Sequence, residues 1–403
     1  MTMVRAAALL ALVGTHAAAE PLRLRADALA TTASPAGLLV LEAGGPIRDA
    51  VDAEAVVWMA TPRELGDLTG DVLVAVVHAR SVNNRVRGQL GRFVASLGAL
   101  RPTHLDGGLV HLRLPRRIDL AFVAGVPVLP VRDGHDSLSD RFARSRTWDW
   151  YAATRASRRL GEWGSFGVAF AERRNAGDVD ARELGADAGF AIDKRSDVGG
   201  RVAFDLANPG LAELNVTASH RRGALRVDAY GGYRAASHLL PATSLFSVLG
   251  DVPAQRGGVL LTWRAAPRLD LIADAGARYV GELGADLTAR ARLRLDDRGD
   301  SAVSGELRRS GVGHDTWTGI RGAARIALPA RLVLATELEL VMRDNARSTV
   351  IGRGTVWPWA LIALQAERGP WRGAIAAEAS ATLEYSRRID VLAQLSRRWG
   401  HSP

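Results

Sequence analysis

The residues best placed to do chemistry together lie between 132 and 140, where the chain reads RDGHDSLSD. Asp133, His135, Asp136 and Asp140 could offer oxygen ligands to a divalent ion. Acids grouped with a histidine are also what a protease without a serine nucleophile would need. A solvated polar loop has the same composition, and the segment is read as one, so no metal ligands are assigned. His111, His220 and His314 sit on or near regular segments, but none forms a short motif with serine. The chain has no cysteine, which removes thiolate chemistry and disulfides. A phosphate-binding glycine loop and a His-rich zinc motif are also missing. The expectation is a protein with no enzyme activity, no cofactor and no resident metal.

What the sequence offers instead is arginine. In ADLTARARLRLDDRGD (285–300), Arg290, Arg292 and Arg294 fall on every second residue, between Ala289, Ala291, Leu293 and Leu295. On a helix, positions two apart would scatter around the cylinder. On a strand the arginines share one face and the leucines the other. Arg321 and Arg325 continue the basic row on a neighbouring predicted strand. Acids such as Glu306, Glu337 and Glu339 fall among them.

The same two-faced pattern recurs. Leu332, Leu334, Leu338 and Leu340 oppose Arg331, Glu337 and Glu339. Trp371, Ile375, Ala377 and Ala379 oppose Arg372, Glu378 and Ser380. Leu225, Val227 and Ala229 oppose Arg226, Asp228 and Tyr230. Ile389, Val391, Ala393 and Leu395 oppose Arg388, Asp390 and Gln394, and Trp148 and Trp150 oppose Asp149, Tyr151 and Arg155. No helical period of comparable length follows residue 30. Tight turns are expected near 81–84, 114–117, 193–197, 220–223, 265–268, 296–300, 328–331 and 367–370. Longer connections, such as 125–146, 234–256 and 342–355, come between them. Short and long links taking turns is the plan of an up-and-down barrel.

Composition agrees. The net charge is +9, Lys194 is the single lysine, and mean hydropathy is near zero, as expected where apolar and polar residues alternate. Arg5, the apolar run Ala6–Gly14, and Ala17 and Ala19 before Glu20 make residues 1–19 read as a cleavable export signal. Segments of about ten residues suit strands that cross a bilayer at a tilt. Residues 20–403 are therefore read as one domain: an all-β, transmembrane, antiparallel up-and-down β-barrel of about 18–22 strands. The leucine faces would meet lipid, where an arginine costs roughly 2–4 kcal/mol near the midplane. The arginine faces would line a watery interior. Trp148, Trp150, Trp317, Trp357, Trp359, Trp371 and Trp399, near predicted strand ends, would form interfacial girdles.

On this pattern the chain resembles the outer-membrane β-barrels of Gram-negative bacteria. Such barrels close with an aromatic-ended last strand that the assembly machinery reads. Here IDVLAQLSRRW ends at Trp399, and the tail GHSP departs from the family. A narrower resemblance lies in RVRGQLGRFVASLGALRPTHLDGG (85–108). It is similar to a segment of alginate-export-type and related polysaccharide-secretion barrels, through Gly91, Arg92, Gly98, Arg101, Asp106 and Gly107, with Phe93 where relatives carry a polar residue. The whole also resembles large myxobacterial barrels associated with exopolysaccharide secretion. A plainer reading of the same stretch is a folded-in hairpin loop with Asp106 paired to an arginine.

The resulting expectation is a bacterial outer-membrane channel for an anionic polysaccharide or another anionic solute. Its pore-lining residues would be Arg290, Arg292, Arg294, Arg321, Arg325, Arg92, Arg101 and Asp106. Partners would be outer-membrane lipid, the assembly machinery and periplasmic export proteins. Nucleic acid is not expected, because the arginines are dispersed by strand parity and not gathered in one patch. A non-conducting structural or assembly barrel, and more remotely a barrel enzyme, stay open as alternatives.

Overall fold

The alternation is realised as 22 antiparallel strands in one closed sheet. They run β1 (Arg23–Thr31), β2 (Gly37–Arg48), β3 (Val51–Thr61), β4 (Thr69–Arg80), β5 (Val86–Ala95), β6 (Thr103–Leu114) and β7 (Ile118–Pro127). Next come β8 (Trp150–Arg159), β9 (Gly164–Asn175), β10 (Asp178–Ala191), β11 (Ser196–Asp205), β12 (Gly210–Arg222), β13 (Leu225–Arg234) and β14 (Ala254–Ala266). The last are β15 (Leu269–Val280), β16 (Glu282–Arg294), β17 (Ala302–Val312), β18 (Asp315–Leu328), β19 (Leu332–Arg343), β20 (Val356–Arg368), β21 (Trp371–Ser380) and β22 (Arg388–Trp399). This computed structural model describes residues 23–31, 37–48, 50–61, 69–128, 149–175, 177–235, 254–313, 315–344, 356–381 and 388–399. The export signal at 1–19, the acid–histidine cluster at 132–140, Trp148, His314 and the tail at 400–403 lie outside the described residues.

Each strand pairs with its neighbours in sequence, and β22 returns to β1 from Leu24↔Trp399 to Thr31↔Leu392. Closure leaves no sheet edge to aggregate. Among the described residues no helix is long and apolar enough to cross a membrane.

Two faces follow from strand parity. Leu287, Leu307, Ile320, Leu338, Ile362 and Ile375 are large, apolar and exposed, and they share the outer face. The charged residues between them point inward and pair with one another along the wall. Asp270 takes Arg264 at 3.2 Å and Arg294 at 2.8 Å. Arg321 reaches Glu337 at 2.6 Å, and Arg201 reaches Glu213 at 2.5 Å. Tyr230 lies flat on the wall to bond Asp274 at 2.9 Å. A side chain at Gly258 or Gly276 would strike its hydroxyl, so glycine clears its path.

All the expected tight turns follow even-numbered strands and so share one rim with the start of β1 and the end of β22. The strand ends flanking the expected long connections meet at the other rim. LPRR and LPAR make the same turn: Arg116, Arg117, Ala330 and Arg331 all hold φ near +60°. Two successive positive-φ residues give the twist that tight hairpins need.

The turn after β16 depends on a carboxylate. Asp296 accepts backbone N–H bonds from Asp300 at 3.0 Å and Ser301 at 2.7 Å. Its pKa lies below the usual carboxylate value, chiefly through the Ser301 side chain, with backbone donors adding to the effect. A depressed folded pKa means that the stabilisation is present above the unfolded value and lost as pH falls through the folded one. Amide exchange at Asp300 and Ser301 should therefore quicken as pH drops from about 6 to about 2, beyond the intrinsic pH effect. Asp296→Ala should remove this protection at every pH. Protection that persists in the variant would refute the role given to the carboxylate.

The tryptophans divide between the faces. Trp150, Trp371 and Trp399 point outward, and the Arg397 guanidinium lies 4.7 Å from the ring centres of both Trp371 and Trp399. This cation–π sandwich covers the seam where β22 meets β1. Trp317, Trp357 and Trp359 depart from the girdle expectation. They share the inner face with Glu339, and Trp317 and Trp357 lie under Arg308 and Arg343.

Candidate functional site: the inner wall

The inner wall has two unlike halves. Along β4–β9 it carries an apolar layer that includes Val76, Phe93, Leu105, Val123, Tyr151 and Ala171. The connection after β5 folds in against it. Leu97, Ala99 and Leu100 are almost fully buried, and the Arg101 N–H donates to Glu183 Oε2 at 3.2 Å. Burial lowers the Arg101 guanidinium from its usual value, opposed by the Glu183 carboxylate. Gly98 (φ +59°) rests on an ion pair in which Arg155 reaches over Gly167 to Asp187 at 2.6 Å. A Cβ at Gly167 would collide with that guanidinium, and one at Gly185 would lie 3.1 Å from Ala99 Cβ. The segment 96–102 thus occupies part of the lumen on a seat made by β8, β9 and β10.

The other half is polar. Arg290, Arg292, Arg294, Arg321 and Arg325 all lie on its inner face, on β16 and β18. Arg294 and Arg321 are held by Asp270 and Glu337. Glu306 bonds Arg308 at 2.9 Å. Among the described residues, no carboxylate lies within 4.0 Å of the Arg290, Arg292 or Arg325 guanidinium, and Arg290 and Arg292 are exposed to the lumen.

Arg92 and Asp106 are not on this wall. Their neighbours Phe93 and Leu105 point into the inner apolar cluster, so both point outward. There Arg92 forms a two-pronged bond with Asp106, both arms 2.7 Å, and reaches Asp71 at 3.2 Å. This is the plainer expectation for the 85–108 stretch: a folded-in segment and an Arg–Asp pair. Arg101 belongs to the inward segment and not to the arginine rows.

The histidines show contacts that the sequence did not: His104 Nε2 lies 2.8 Å from the Leu73 carbonyl oxygen. Ser196 Oγ lies 2.9 Å from His220 Nδ1. Asp193 bonds the Ser196 and Arg195 end of that turn and not the imidazole. A catalytic relay needs the acid on the far nitrogen of the histidine, so the set is a turn cap. Among the described residues no three His, Asp or Glu side chains converge on a metal-sized site.

No family model matches the sequence, and no curated protein matches it. Solved structures do. The translocation pore of the P pilus usher PapC is 9% identical, with a TM-score of 0.52 over 95% of this chain and 99% of that one. A mutant ferric enterobactin receptor PfeA from Pseudomonas aeruginosa is 7% identical, with a TM-score of 0.61 over 96% and 81%. The siderophore receptor PirA of the same organism is 10% identical, with a TM-score of 0.50 over 96% and 81%. The fold is that of an outer-membrane β-barrel. Its outer leucine and isoleucine face is the face such barrels turn to lipid, and its inner wall is the lumen. Neither the alginate-export-type nor the myxobacterial resemblance has a counterpart among these neighbours.

Proposed function

We propose that this chain is an outer-membrane channel that passes anionic solutes, with an anionic polysaccharide as the sharper form of the reading. The observation that carries it is the set of inner-wall arginines, Arg290, Arg292 and Arg325, none of which has a described carboxylate within 4.0 Å of its guanidinium, because the acids opposite in register, Glu306 and Asp270, are taken by Arg308, Arg264 and Arg294. A guanidinium stays charged at any physiological pH, and its planar fork suits carboxylates and phosphates. A pore selects by radius and wall charge and needs no covalent step, so no enzyme activity is proposed. The usher PapC, similar in fold, is a translocation pore, which supports passage through a barrel of this size. Partners on this reading are outer-membrane lipid, the assembly machinery and periplasmic export proteins at the rim of tight turns.

Reversal potentials across a planar bilayer in a salt gradient test the reading. The wild-type pore should prefer anions. Replacing Arg290, Arg292 and Arg325 together by glutamine should move it toward cations. The shift should be largest near 0.01 M salt, where the screening length is about 30 Å. Arg294→Gln should act differently, loosening the wall at Asp270 with little change in selectivity. Unchanged selectivity in a folded triple variant would remove the anion reading. A barrel with no steady openings would leave the structural or assembly reading in its place.

A further inference from the structure

Strand parity leaves the outward residues of β19, β20, β21 and β22 uncharged at every position but two, Arg368 and Arg397. These two lie in one row across the closure seam. Arg368 stands directly opposite Trp371 in the β20–β21 register, Trp371 opposite Arg397 in the β21–β22 register, and Arg397 opposite Ala26 of β1. Ala26 is almost fully buried on a face that is otherwise open, so the row lies down over the seam. Arg368 ends β20, Trp371 begins β21 and Arg397 is two residues from the end of β22. The row therefore sits at the rim of tight turns, at the level where the hydrocarbon of a bilayer gives way to headgroups.

The two indoles hold the Arg397 guanidinium without neutralising it. A π face attracts a cation but carries no net charge of its own. Among the described residues no carboxylate lies within 4.0 Å of the Arg397 or Arg368 guanidinium, and none shares their face on β19–β22. Arg397 Nε and Trp399 Nε1 are buried donors with no acceptor among the described residues. A guanidinium does not escape this by losing its proton, and a charge left unpaired away from water is costly. The counter-charge has to come from outside the chain.

The geometry points to a phospholipid site at the seam, in which the Arg397 guanidinium, held by Trp371 and Trp399 and flanked by Arg368, binds the headgroup phosphate of an anionic lipid. The guanidinium fork matches two phosphate oxygens. The indoles fix it in advance, so little side-chain freedom is left to lose on binding. Two cations without an acid favour a lipid of net negative charge over a zwitterionic one, which brings its own cation. A lipid seated here spans β20 to β1 and staples the strand pair that closes the barrel. The site rests on the membrane reading of the fold, and it stands whether or not the barrel conducts.

Phosphatidylglycerol is the probe, with phosphatidylcholine as the zwitterionic reference and inorganic phosphate as the free anion. Native mass spectrometry of the full chain in detergent should show phosphatidylglycerol retained in preference to phosphatidylcholine. Urea unfolding in vesicles should show added stability when phosphatidylglycerol replaces part of the phosphatidylcholine, because a ligand of the folded state stabilises it. Arg397→Gln should weaken retention about tenfold or more, the effect of losing one charge-assisted hydrogen bond, and should lose most of the added stability. A cooperative unfolding transition of that variant in phosphatidylcholine alone certifies that it folds. Arg368→Gln leaves the sandwich intact and should weaken retention by a smaller factor, which keeps the test open if Arg397→Gln does not assemble. Arg372→Gln removes a charge next to Trp371 but on the inner face, where Arg372 bonds Gln365 at 2.9 Å, and should keep the full response. Equal retention of the two lipids by the wild type, or an undiminished response in the Arg397 and Arg368 variants, overturns the site. An equal gain in stability from inorganic phosphate in detergent assigns a free anion and overturns the lipid. Bilayer selectivity plays no part in these readouts and tests the channel separately.

Discussion

Ile362→Arg should impair insertion and stability of the barrel, while Ala363→Arg, one residue on, should be tolerated. The two positions lie at the middle of β20. Ile362 is 53% exposed on the outer face, and in a bilayer that exposure is to lipid. An arginine there costs roughly 2–4 kcal/mol near the midplane, a large share of the roughly 5–15 kcal/mol that separates most folded proteins from unfolding. Ala363 points into the lumen, with Ala335 and Ala376 beside it in the registers of β19 and β21. Small neighbours leave room for a long side chain, and water reaches its charge. Urea unfolding in lipid vesicles, together with the amount of barrel assembled in cells, measures both. Equal effects at the two positions would mean that the outer face does not meet lipid, and the membrane reading of the fold would fall.

Much of this architecture is legible in the sequence because a barrel wall writes itself with a period of two. β16 shows it best: Arg290, Arg292 and Arg294 must share a face, and leucines on the alternate residues leave that face only one place to go. The tight turns were readable for a local reason as well. Gly and Pro clusters such as LPAR and DDRGD fix the chain direction without help from distant residues. Parity is hard to read on β5 and β6. There Arg87, Gln89 and Phe93 oppose Leu90, Arg92 and Val94, so both faces mix charge with apolar surface. The inner face turns apolar because residues 96–102 come to lie on it, a tertiary fact that no strand pattern contains. Arg92 and Asp106 entered the expected pore lining through the resemblance at 85–108, and they pair with each other on the outer face instead. Trp317, Trp357 and Trp359 misled similarly, since a tryptophan near a strand end can as well stack under a lumen arginine as sit at an interface. The Ser196–His220 contact needed the β11–β12 register, which links residues 24 apart.

Gly98→Val should widen the pore. Gly98 holds φ +59°, a region where a β-branched residue is strained. Its Cβ would also fall within van der Waals distance of Asp187 Oδ1 and 2.6 Å from Arg155 Nε. Neither group can retreat easily, because each is held by the other at 2.6 Å. The inward segment is kept in place mainly by Leu97 and Leu100, whose burial contributes about 1.5–3 kcal/mol each. Backbone strain of roughly 1–2 kcal/mol added to a collision with two paired charged groups is enough to lift that segment from its seat. Gly223 provides the control. It has the same φ of +59°, but a Cβ there meets nothing within 4 Å. Gly223→Val therefore carries the strain without the collision, and should cost stability in the β12–β13 turn while leaving conductance alone. Unit conductance in planar bilayers, and entry into liposomes of sugars too large for the wild-type pore, should rise for Gly98→Val only. If both variants conduct like the wild type, residues 96–102 do not narrow the path. If both rise together, backbone strain and not the seat on Arg155 and Asp187 is what governs the opening.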